Sequence, residues 1–339
     1  MIKAGIVGGT GYTGVILAGL ILRHPGVKLA WVTSESHKSE KLSDVYPHLK
    51  GITDLVCQEP DFPKLAKDAD VVFIALPNGM AMNIASIFMT AGAKVVDLGA
   101  DFRLKDPAMF MEWYNIKHTN PLLINKAVYG LSEIVKVNNA ALVANPGCYA
   151  TASVLGCYPL ITSGTAEFDG IVVDAKSGVS GAGKTLTNET HFPNCNEGVS
   201  AYKVAAHRHT PEIEQALGMD IKITFTPHLV PMTRGILATI YAKASKVVDD
   251  VKLTKIFKDF YKGKPFIRVL EDKLPSTKYV LGTNFCDIAA RYDKRTKNII
   301  VFSAIDNLMK GASSQAVQNM NIMFGLDETT GLDQLPVYP

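Results

Sequence analysis

The sequence predicts an α/β protein, with a Rossmann-like doubly wound parallel sheet followed by an α+β catalytic domain built on a mostly antiparallel sheet. Three observations carry this reading. A short apolar strand opens the chain and runs through a glycine-rich turn into a helix; apolar strands and helical stretches then alternate; and in the second half strand-like runs follow one another with few helices between them.

The first strand is Ile2 to Val7. Gly8-Gly9-Thr10-Gly11-Tyr12-Thr13-Gly14 follows, then a helical pattern from Val15 to Leu22 that His24-Pro25-Gly26 stops. Gly9, Gly11 and Gly14 satisfy G-x-G-x-x-G in the required context, strand before and helix after, so Gly8, Gly9, Thr10, Gly11, Tyr12, Thr13 and Gly14 are the candidate cradle for a dinucleotide pyrophosphate. Val27 to Thr33, Asp70 to Ala75 and Lys94 to Asp97 read as further strands, with a helix over Met80 to Thr90. An NAD site calls for an acid at the end of the second strand. Here Thr33-Ser34-Glu35-Ser36 is rich in hydroxyls, and Lys38 and Lys41 are close by, which suits a ribose 2′-phosphate. Ser34, Ser36 and Lys41 are therefore cofactor candidates and NADP is favoured, while Glu35 keeps NAD open.

The run Ala140 to Ala144 is a strand and Ala152 to Leu160 is helical; between them lies Asn145-Pro146-Gly147-Cys148-Tyr149-Ala150-Thr151. A tight Pro-Gly turn thus places a thiol at a helix's first turn. Unsatisfied backbone N–H groups and the positive end of the helix dipole favour a thiolate there, making Cys148 a candidate nucleophile. Cys57, Cys157, Cys195 and Cys286 lie in apolar or unremarkable contexts and read as structural.

Gly178-Val179-Ser180-Gly181-Ala182-Gly183-Lys184-Thr185 matches the phosphate-loop pattern and follows the strand-like Ile171 to Ala175. Thr187 to Asn196 nevertheless has no helical period and contains Pro193, where that motif needs a sustained helix, and Asp306 is a remote stand-in for its magnesium-holding acid. An ATPase is the weaker reading; the loop and Lys184 suit a phosphate or a nicotinamide pocket. In His207-Arg208-His209-Thr210-Pro211-Glu212-Ile213, Thr210 reads as a cap and Pro211 as the first position of a helix running to about Leu217, so both histidines lie just before a helix start. An imidazole there is either a packing residue or the general acid and base that a thiolate site needs. Ile221 to Thr226, Ile236 to Ala242, Phe285 to Tyr292 and Ile299 to Ile305 are the strands of the second sheet, and one face of such a sheet is free to pair with another subunit. Ala312 to Phe324 has helical periodicity.

Length and composition bound the function. A chain of 339 residues suggests two domains, and 47% hydrophobic residues with mixed charges describe an enzyme-like globular protein. A net charge of +3, without basic blocks, argues against nucleic acid. No stretch reaches about 18 apolar residues and the N-terminus lacks signal-peptide features, so the expectation is a cytoplasmic protein without a membrane role. Five cysteines form no C-x-x-C pair and no zinc spacing, so neither a disulfide scaffold nor a metal is expected.

The glycine loop, Asp97-Leu98-Gly99-Ala100-Asp101-Phe102-Arg103, Tyr129 to Glu133, Asn145 to Thr151, Ser177 to Lys184, His207 to Ile213, Arg234-Gly235 and Asn307 to Gly311 together resemble the N-acetyl-gamma-glutamyl-phosphate reductases, relatives of the aspartate-semialdehyde dehydrogenases. The resemblance spans nearly the whole chain. It implies NADPH-dependent reduction of an N-acetylglutamyl acyl phosphate to the semialdehyde, with release of phosphate, in arginine biosynthesis. It also implies a thioester on Cys148 and a homodimer or homotetramer. His207 matches the family's catalytic histidine, with His209 as reserve. Arg103 and Arg208 suit the substrate's anions because a guanidinium binds carboxylate or phosphate in a bidentate way. Asn145, Ser177 and Gly178 fall beside the substrate, and Pro77, Ser180, Gly181 and Asn307 beside the cofactor. The helix after about residue 313 returns to the nucleotide domain, giving an expected division into 1–147 with about 313–339, and 148–312. Alternatives from the same residues are an aspartyl or N-acetyl-aminoadipyl sibling and, from another class, an NADP-sensing protein without turnover.

Overall fold

In a computed structural model that describes every residue except Met219 and Pro339, the chain forms two compact units, each with its own seven-stranded sheet. The first unit comprises Met1–Pro146 and Ala312–Asp333. Its strands are β1 (Ile2–Val7), β2 (Val27–Thr33), β3 (Cys57–Gln58), β4 (Val71–Ile74), β5 (Lys94–Asp97), β6 (Ala127–Tyr129) and β7 (Leu142–Ala144). They pair in the order β3-β2-β1-β4-β5-β7-β6, and every pairing is parallel. Burial explains the near-continuous apolar runs: all of β4 and β7 is buried, as a parallel sheet covered on both faces requires.

The helix after β1 starts at Tyr12 rather than Val15, because Gly11 is extended and caps it, so the whole reversal is spent within Gly8 to Thr10. Gly8 has φ +85°, and a Cβ on Gly14 would sit 2.2 Å from the Gly8 carbonyl oxygen. Only glycine allows that turn and that approach.

The returning helix Ser314–Met323 is buried along almost its full length even though it carries four amide side chains. Each amide has partners within the unit. Gln315 donates to Gly130 O and Ser132 Oγ, Gln318 to Glu133 and Glu328, Asn319 to Gly130 O and Asn145 Oδ1, and Asn321 to Thr330 O while pairing with His24 Nε2. A half-satisfied buried network would be costlier than an apolar helix, so these partners must form together.

The second unit holds Gly147–Gly311 and the chain from Gln334 onward. Its strands are β8 (Ile171–Gly178), β9 (Ser200–Ala201), β10 (Ile223–Val230), β11 (Ile236–Lys243), β12 (Ile267–Val269), β13 (Cys286–Asp293) and β14 (Asn298–Ile305), in the order β12-β13-β14-β11-β8-β10-β9. The β12–β13 and β8–β10 pairings are parallel and the other four antiparallel. The tail after Asp333 clusters with this unit and not with the nucleotide unit as expected, because Val337 N–H donates to Leu281 O at 3.0 Å; the expected bound, Pro339, lies outside the described residues. A further helix, Asp250–Phe260, was not anticipated. Asp249 caps it through Lys252 N at 2.8 Å, and Leu253 and Phe257 turn inward, a narrow apolar stripe on an otherwise charged segment.

The helix Cys148–Thr162 packs on one face of this sheet so closely that a Cβ on Gly156 would lie 2.5 Å from Ile240 Cδ1. It also contains Pro159, which has no N–H to give the carbonyl of Leu155. The Tyr261 hydroxyl donates to that carbonyl at 2.6 Å. Tyr261→Phe should therefore lower unfolding free energy by about 1–3 kcal/mol, the cost of a buried acceptor left without its donor. Urea denaturation checks this, and Pro159→Ala, which restores an N–H, should recover part of the loss only in the Phe background.

Candidate active site

Cys148 is the first residue of its helix, and Gly147 caps it with extended angles (φ −70°, ψ 150°). Cys57, Cys157 and Cys286 are buried, and burial pushes the Cys157 thiol up to about 12. Cys148 is half-exposed. Cys195 is also half-exposed, but it sits in a single helical turn with Sγ 3.7 Å from both Thr190 O and Phe192 O.

Two backbone features hold Cys148. Gly147 has no side chain with which to cap, and its own N–H donates to Glu212 Oε1 at 2.8 Å. Glu212 is 1% exposed and lies in the first turn of the helix Thr210–Leu217. A carboxylate from a second helix thus does what the third residue of a capping box does within one helix. On the other side is Gly311, where a Cβ would fall 2.7 Å from Cys148 Cβ and 3.2 Å from its Cα. Any larger residue would displace the thiol.

The sequence Tyr202 to Glu212 brings both histidines to the same unit as Cys148. His209, and not Thr210, is the cap residue of the following helix, since Thr210 already has helical geometry. The rings of Tyr149, Tyr202, Phe225 and His209 surround His207, with centroids at 5.5, 5.5, 5.2 and 4.9 Å and steep interplanar angles. Burial, with repulsion from His209, Lys203 and Arg208, pushes the His207 imidazole down to about 2, against an opposing pull from Glu212. Tyr202 donates to the Tyr149 hydroxyl, which donates to His228 O, both at 3.2 Å. Burial raises both phenols, Tyr202 to about 12. The charges of Lys203 and Arg208 beside this cluster form a cationic rim suited to an anionic substrate.

Strand β8 ends at Gly178, where a Cβ would lie 2.7 Å from Arg234 N, and the chain continues into a 3-10 turn over Val179–Ala182. Asn307 ties this loop down: its Oδ1 accepts from Gly235 N at 2.7 Å and its Nδ2 donates to Ser180 Oγ at 3.0 Å. Ser177 is buried and donates to Gly178 O, and Gly181 is exposed. The first helix after Lys184 is one turn long, Phe192–Cys195, so the phosphate-loop letters lack the helix that gives the motif its dipole. Asp306 is fully buried and accepts from the N–H groups of Gly282, Leu308 and Met309, which makes it a loop organiser.

In the nucleotide unit, the helix Tyr12–Leu22 points its N-terminus, which has no acid in its first turn, at the end of β1. Thr10 Oγ1 and Ser34 Oγ are 2.7 Å apart, Gly9 N donates to Thr33 O, and Tyr46 donates to Thr10 O at 2.7 Å. With the Gly8–Gly14 approach, these contacts fix a bare glycine turn against the N-terminus of the helix, a setting that fits a pyrophosphate. Ser36, shortly after Ser34, Pro77, shortly after β4, and Tyr12 are exposed. Lys41 is paired with Asp54 at 2.8 Å and Lys38 with Glu59 at 3.8 Å, so the two cations read as phosphate partners already hold carboxylates. Arg103 and Asn145, read as substrate contacts, brace the chain before Cys148. Arg103 Nε donates to Asn145 O and Nη2 to Leu98 O, both at 2.8 Å, while the Asn145 amide donates to Ala312 O and accepts from Asn319. Arg208 remains beside His207 in the second unit.

Sequence reasoning did not pick out Glu212, Tyr149, Tyr202 or the packing role of Gly311. Glu212 stands inside the histidine motif, but its partner Gly147 is 65 residues away and leaves no local trace. Among the described residues no group of three or more His, Cys, Asp or Glu is placed to hold a metal, and no helix is long and apolar enough to cross a membrane.

Residues 3–142 match the family model of the semialdehyde dehydrogenase NAD binding domain, and residues 148–307 that of the semialdehyde dehydrogenase dimerisation domain. Over the full length of both chains, the sequence is 54% identical to the N-acetyl-gamma-glutamyl-phosphate reductase of Desulforudis audaxviator and 50% identical to that of Desulforamulus reducens. Among solved structures, aspartate semialdehyde dehydrogenase II of Vibrio cholerae, complexed with ASA, superposes with a TM-score of 0.72 at 17% identity, over 95% of this chain and 98% of that one. The NADP-bound aspartate semialdehyde dehydrogenase of Candida albicans gives 0.63 at 16%, over 95% and 98%. These structures share the fold.

At the end of β5, Asp97 is fully buried, with Gly99 N–H donating to its Oδ1 at 2.9 Å, and Asp101 accepts from Gly79 N and Met82 N. Burial, reinforced by Asp101, pushes the Asp97 carboxyl up from 3.8 to about 7, against Gly99 N–H and Arg103. Between those values the folded chain keeps a proton that the unfolded chain has lost. This contribution to stability is therefore full below about pH 4 and falls away as pH rises to about 7. Asp97→Asn should remove that slope. Urea midpoints from pH 4.5 to 7.5 should show the variant gaining on the parent as pH rises, and a constant difference would refute the assignment.

Proposed function

The chain belongs to the N-acetyl-gamma-glutamyl-phosphate reductase family, and from that membership we propose that it reduces N-acetyl-γ-glutamyl phosphate to N-acetylglutamate semialdehyde with NADPH, releasing phosphate, as a step of arginine biosynthesis. The observation that carries the mechanism is the half-exposed thiol on the first residue of a helix, held by the Gly147–Glu212 bond and by the bare backbone of Gly311.

Cys148 Sγ attacks the acyl carbon, the carbon–oxygen bond to phosphate breaks, and a thioester remains on the enzyme. The backbone N–H groups of the helix's first turn are the donors nearest to charge developing on the acyl oxygen. The glycine turn Gly8 to Gly14, with Thr10 and Ser34 beside it, would hold NADPH, which would supply the hydride that takes the acyl carbon to the aldehyde level. Release of the aldehyde from the resulting thiohemiacetal returns the sulfur as thiolate. The histidine pair next to Tyr149 manages the proton, and Arg208 with Lys203 attracts the substrate's negative groups. Ser180, which Asn307 fastens through Nδ2, and Gly181 after it would line the nicotinamide.

The reaction is tested in reverse, by following phosphate-dependent reduction of NADP⁺ with N-acetylglutamate semialdehyde, aspartate semialdehyde and the aminoadipate analogue. Activity with the first that vanishes without phosphate is expected. Preference for another aldehyde would move the enzyme to a sibling reaction, and turnover with none would leave only cofactor binding. Cys148→Ser should lose about three orders of magnitude or more in turnover while still binding NADPH, and substantial residual activity would sink the covalent route.

The assembly we propose is a homo-oligomer, with the second sheet paired through the face opposite the Cys148 helix. Strand register puts Val172, Tyr241 and Ile300 in one row and Asp174, Thr239 and Phe302 in the next, while Ile240 and Val301 face the helix. Tyr241 is exposed, and Leu237, Ile300 and Phe302 are only half-buried. Apolar side chains in the middle of an open sheet face suit a second copy. Phe302→Glu should convert the parent oligomer to monomer by light scattering with the circular dichroism unchanged; an unchanged mass would reject this face.

A further inference from the structure

Resting on the covalent reading above, we propose that Lys310 is a positioning residue for Cys148: its buried amino group, set over the Phe266 ring, pins the register of the π-helical turn Met309–Ser313 so that Gly311, and no residue with a Cβ, meets the cysteine. The turn is π-helical because the Asp306 carbonyl accepts from Gly311 N–H, five residues on, at 3.0 Å. An α-helical turn would pass that bond to Lys310 and rotate the residues beyond it by about 100°. The difference matters at one contact. A Cβ on Gly311 would lie 2.7 Å from Cys148 Cβ and 3.2 Å from its Cα. Slipped by one residue, the chain would bring Lys310 or Ala312 to that place, and either carries the Cβ that the contact excludes.

The Asp306 carboxylate fixes only the entry of the turn. It accepts from Leu308 N at 2.8 Å, Met309 N at 3.2 Å and Gly282 N at 2.9 Å, and these bonds would serve an α-helical turn equally well. The side chain of Lys310 distinguishes the two registers. Lys310 is wholly buried, with Nζ 5.4 Å from the centroid of the Phe266 ring, within reach of a cation–π attraction. The ring has little room to follow a moving lysine: Phe266 is 3% exposed, its ring lies 6.0 Å from that of Phe285, and its carbonyl accepts from Cys286 N of β13 at 2.8 Å. Lysine is seldom buried completely, because its amino group gives up strong hydration. Methionine or leucine would fill a similar volume without that loss, so apolar packing does not call for a lysine here. A cation over a fixed ring does what apolar contact cannot, since it favours the face of the ring over its edge.

Lys310→Met keeps the length of the side chain and removes the charge. It should leave the urea midpoint at or above the parent's, because a desolvated cation is gone, and lower kcat by about 10- to 100-fold through a displaced sulfur. Alkylation of Cys148 by iodoacetamide, followed by the mass of its peptide, should slow by about threefold or more in the folded variant. Phe266→Leu, which removes the ring and keeps an apolar side chain, should reproduce both losses. Lys310→Arg, which keeps a cation for the ring, should retain more of both activities than Lys310→Met. In a Gly311→Ala background, where the contact is already displaced, Lys310→Met should add little. Parent kcat and parent alkylation in Lys310→Met, whatever its urea midpoint, or full additivity with Gly311→Ala, would overturn the proposal. Alkylation needs no turnover, so it reads the setting of the sulfur even if Cys148→Ser shows the covalent reading to be wrong.

Discussion

The structure turns on where one sulfur atom is held. Cys148 lies between a strand that ends in the nucleotide unit and a helix that belongs to the catalytic unit, and the segment joining them, Asn145-Pro146-Gly147, is fastened at each residue able to bond. Asn145 N donates to Asp97 O, its carbonyl accepts from Arg103 Nε, and its side chain joins Ala312 and Asn319. Gly147 N donates to Glu212. Pro146 has no donor to place. Rigidity at the proposed nucleophile matters because a reacting geometry lost by about 1 Å can cost about 10² in rate.

This constraint explains an otherwise costly design, a returning helix with four buried amides. An apolar helix would pack as well and carry no risk of unsatisfied polar groups. Asn319 reaches Asn145 and Gly130 together, and Gln315 reaches Gly130 and Ser132. The polar side chains therefore specify which loops meet the helix, and in which register. Burial alone would not do so, because apolar contact is non-directional. The same division of labour recurs in the second unit, where Asp306 and Asn307 are adjacent in sequence and both buried. One organises the turn that follows and the other fixes Ser180 and Gly235.

What was legible in the sequence was what is local. β1, β2 and β5 fall on the predicted residues because short apolar runs between glycine, proline or polar residues have little choice of state. Cys148 was legible for the same reason: strand, turn and helix start lie side by side in the chain. Strands of two residues such as β3 and β9 leave no period to read, and they exist only because a neighbouring strand offers bonds. The charged helix Asp250–Phe260 was passed over because only Leu253 and Phe257 of it are buried. Partnerships across the chain were silent. Tyr261 repairs a carbonyl 106 residues earlier, and neither residue alone announces the need. Gly311 reads as one glycine among many until the Cys148 Cβ is seen beside it.

Two motifs show why residue letters underdetermine chemistry. Gly178 to Thr185 has every letter of a phosphate loop, yet the property that binds phosphate is a helix dipole, and the helix that follows, Phe192–Cys195, is a single turn too short to supply one. The histidine motif is the converse case. His207 and His209 are the same residue type, two positions apart, in one loop, and pattern alone ranks them by analogy. A single backbone N–H, 3.1 Å from His207 Nδ1, distinguishes the two rings, since that nitrogen must accept. In both cases the deciding quantity belongs to the backbone: its helical length in the first, its donor direction in the second. Side chains supply the functional groups of this site, and main-chain geometry selects which of them can be used.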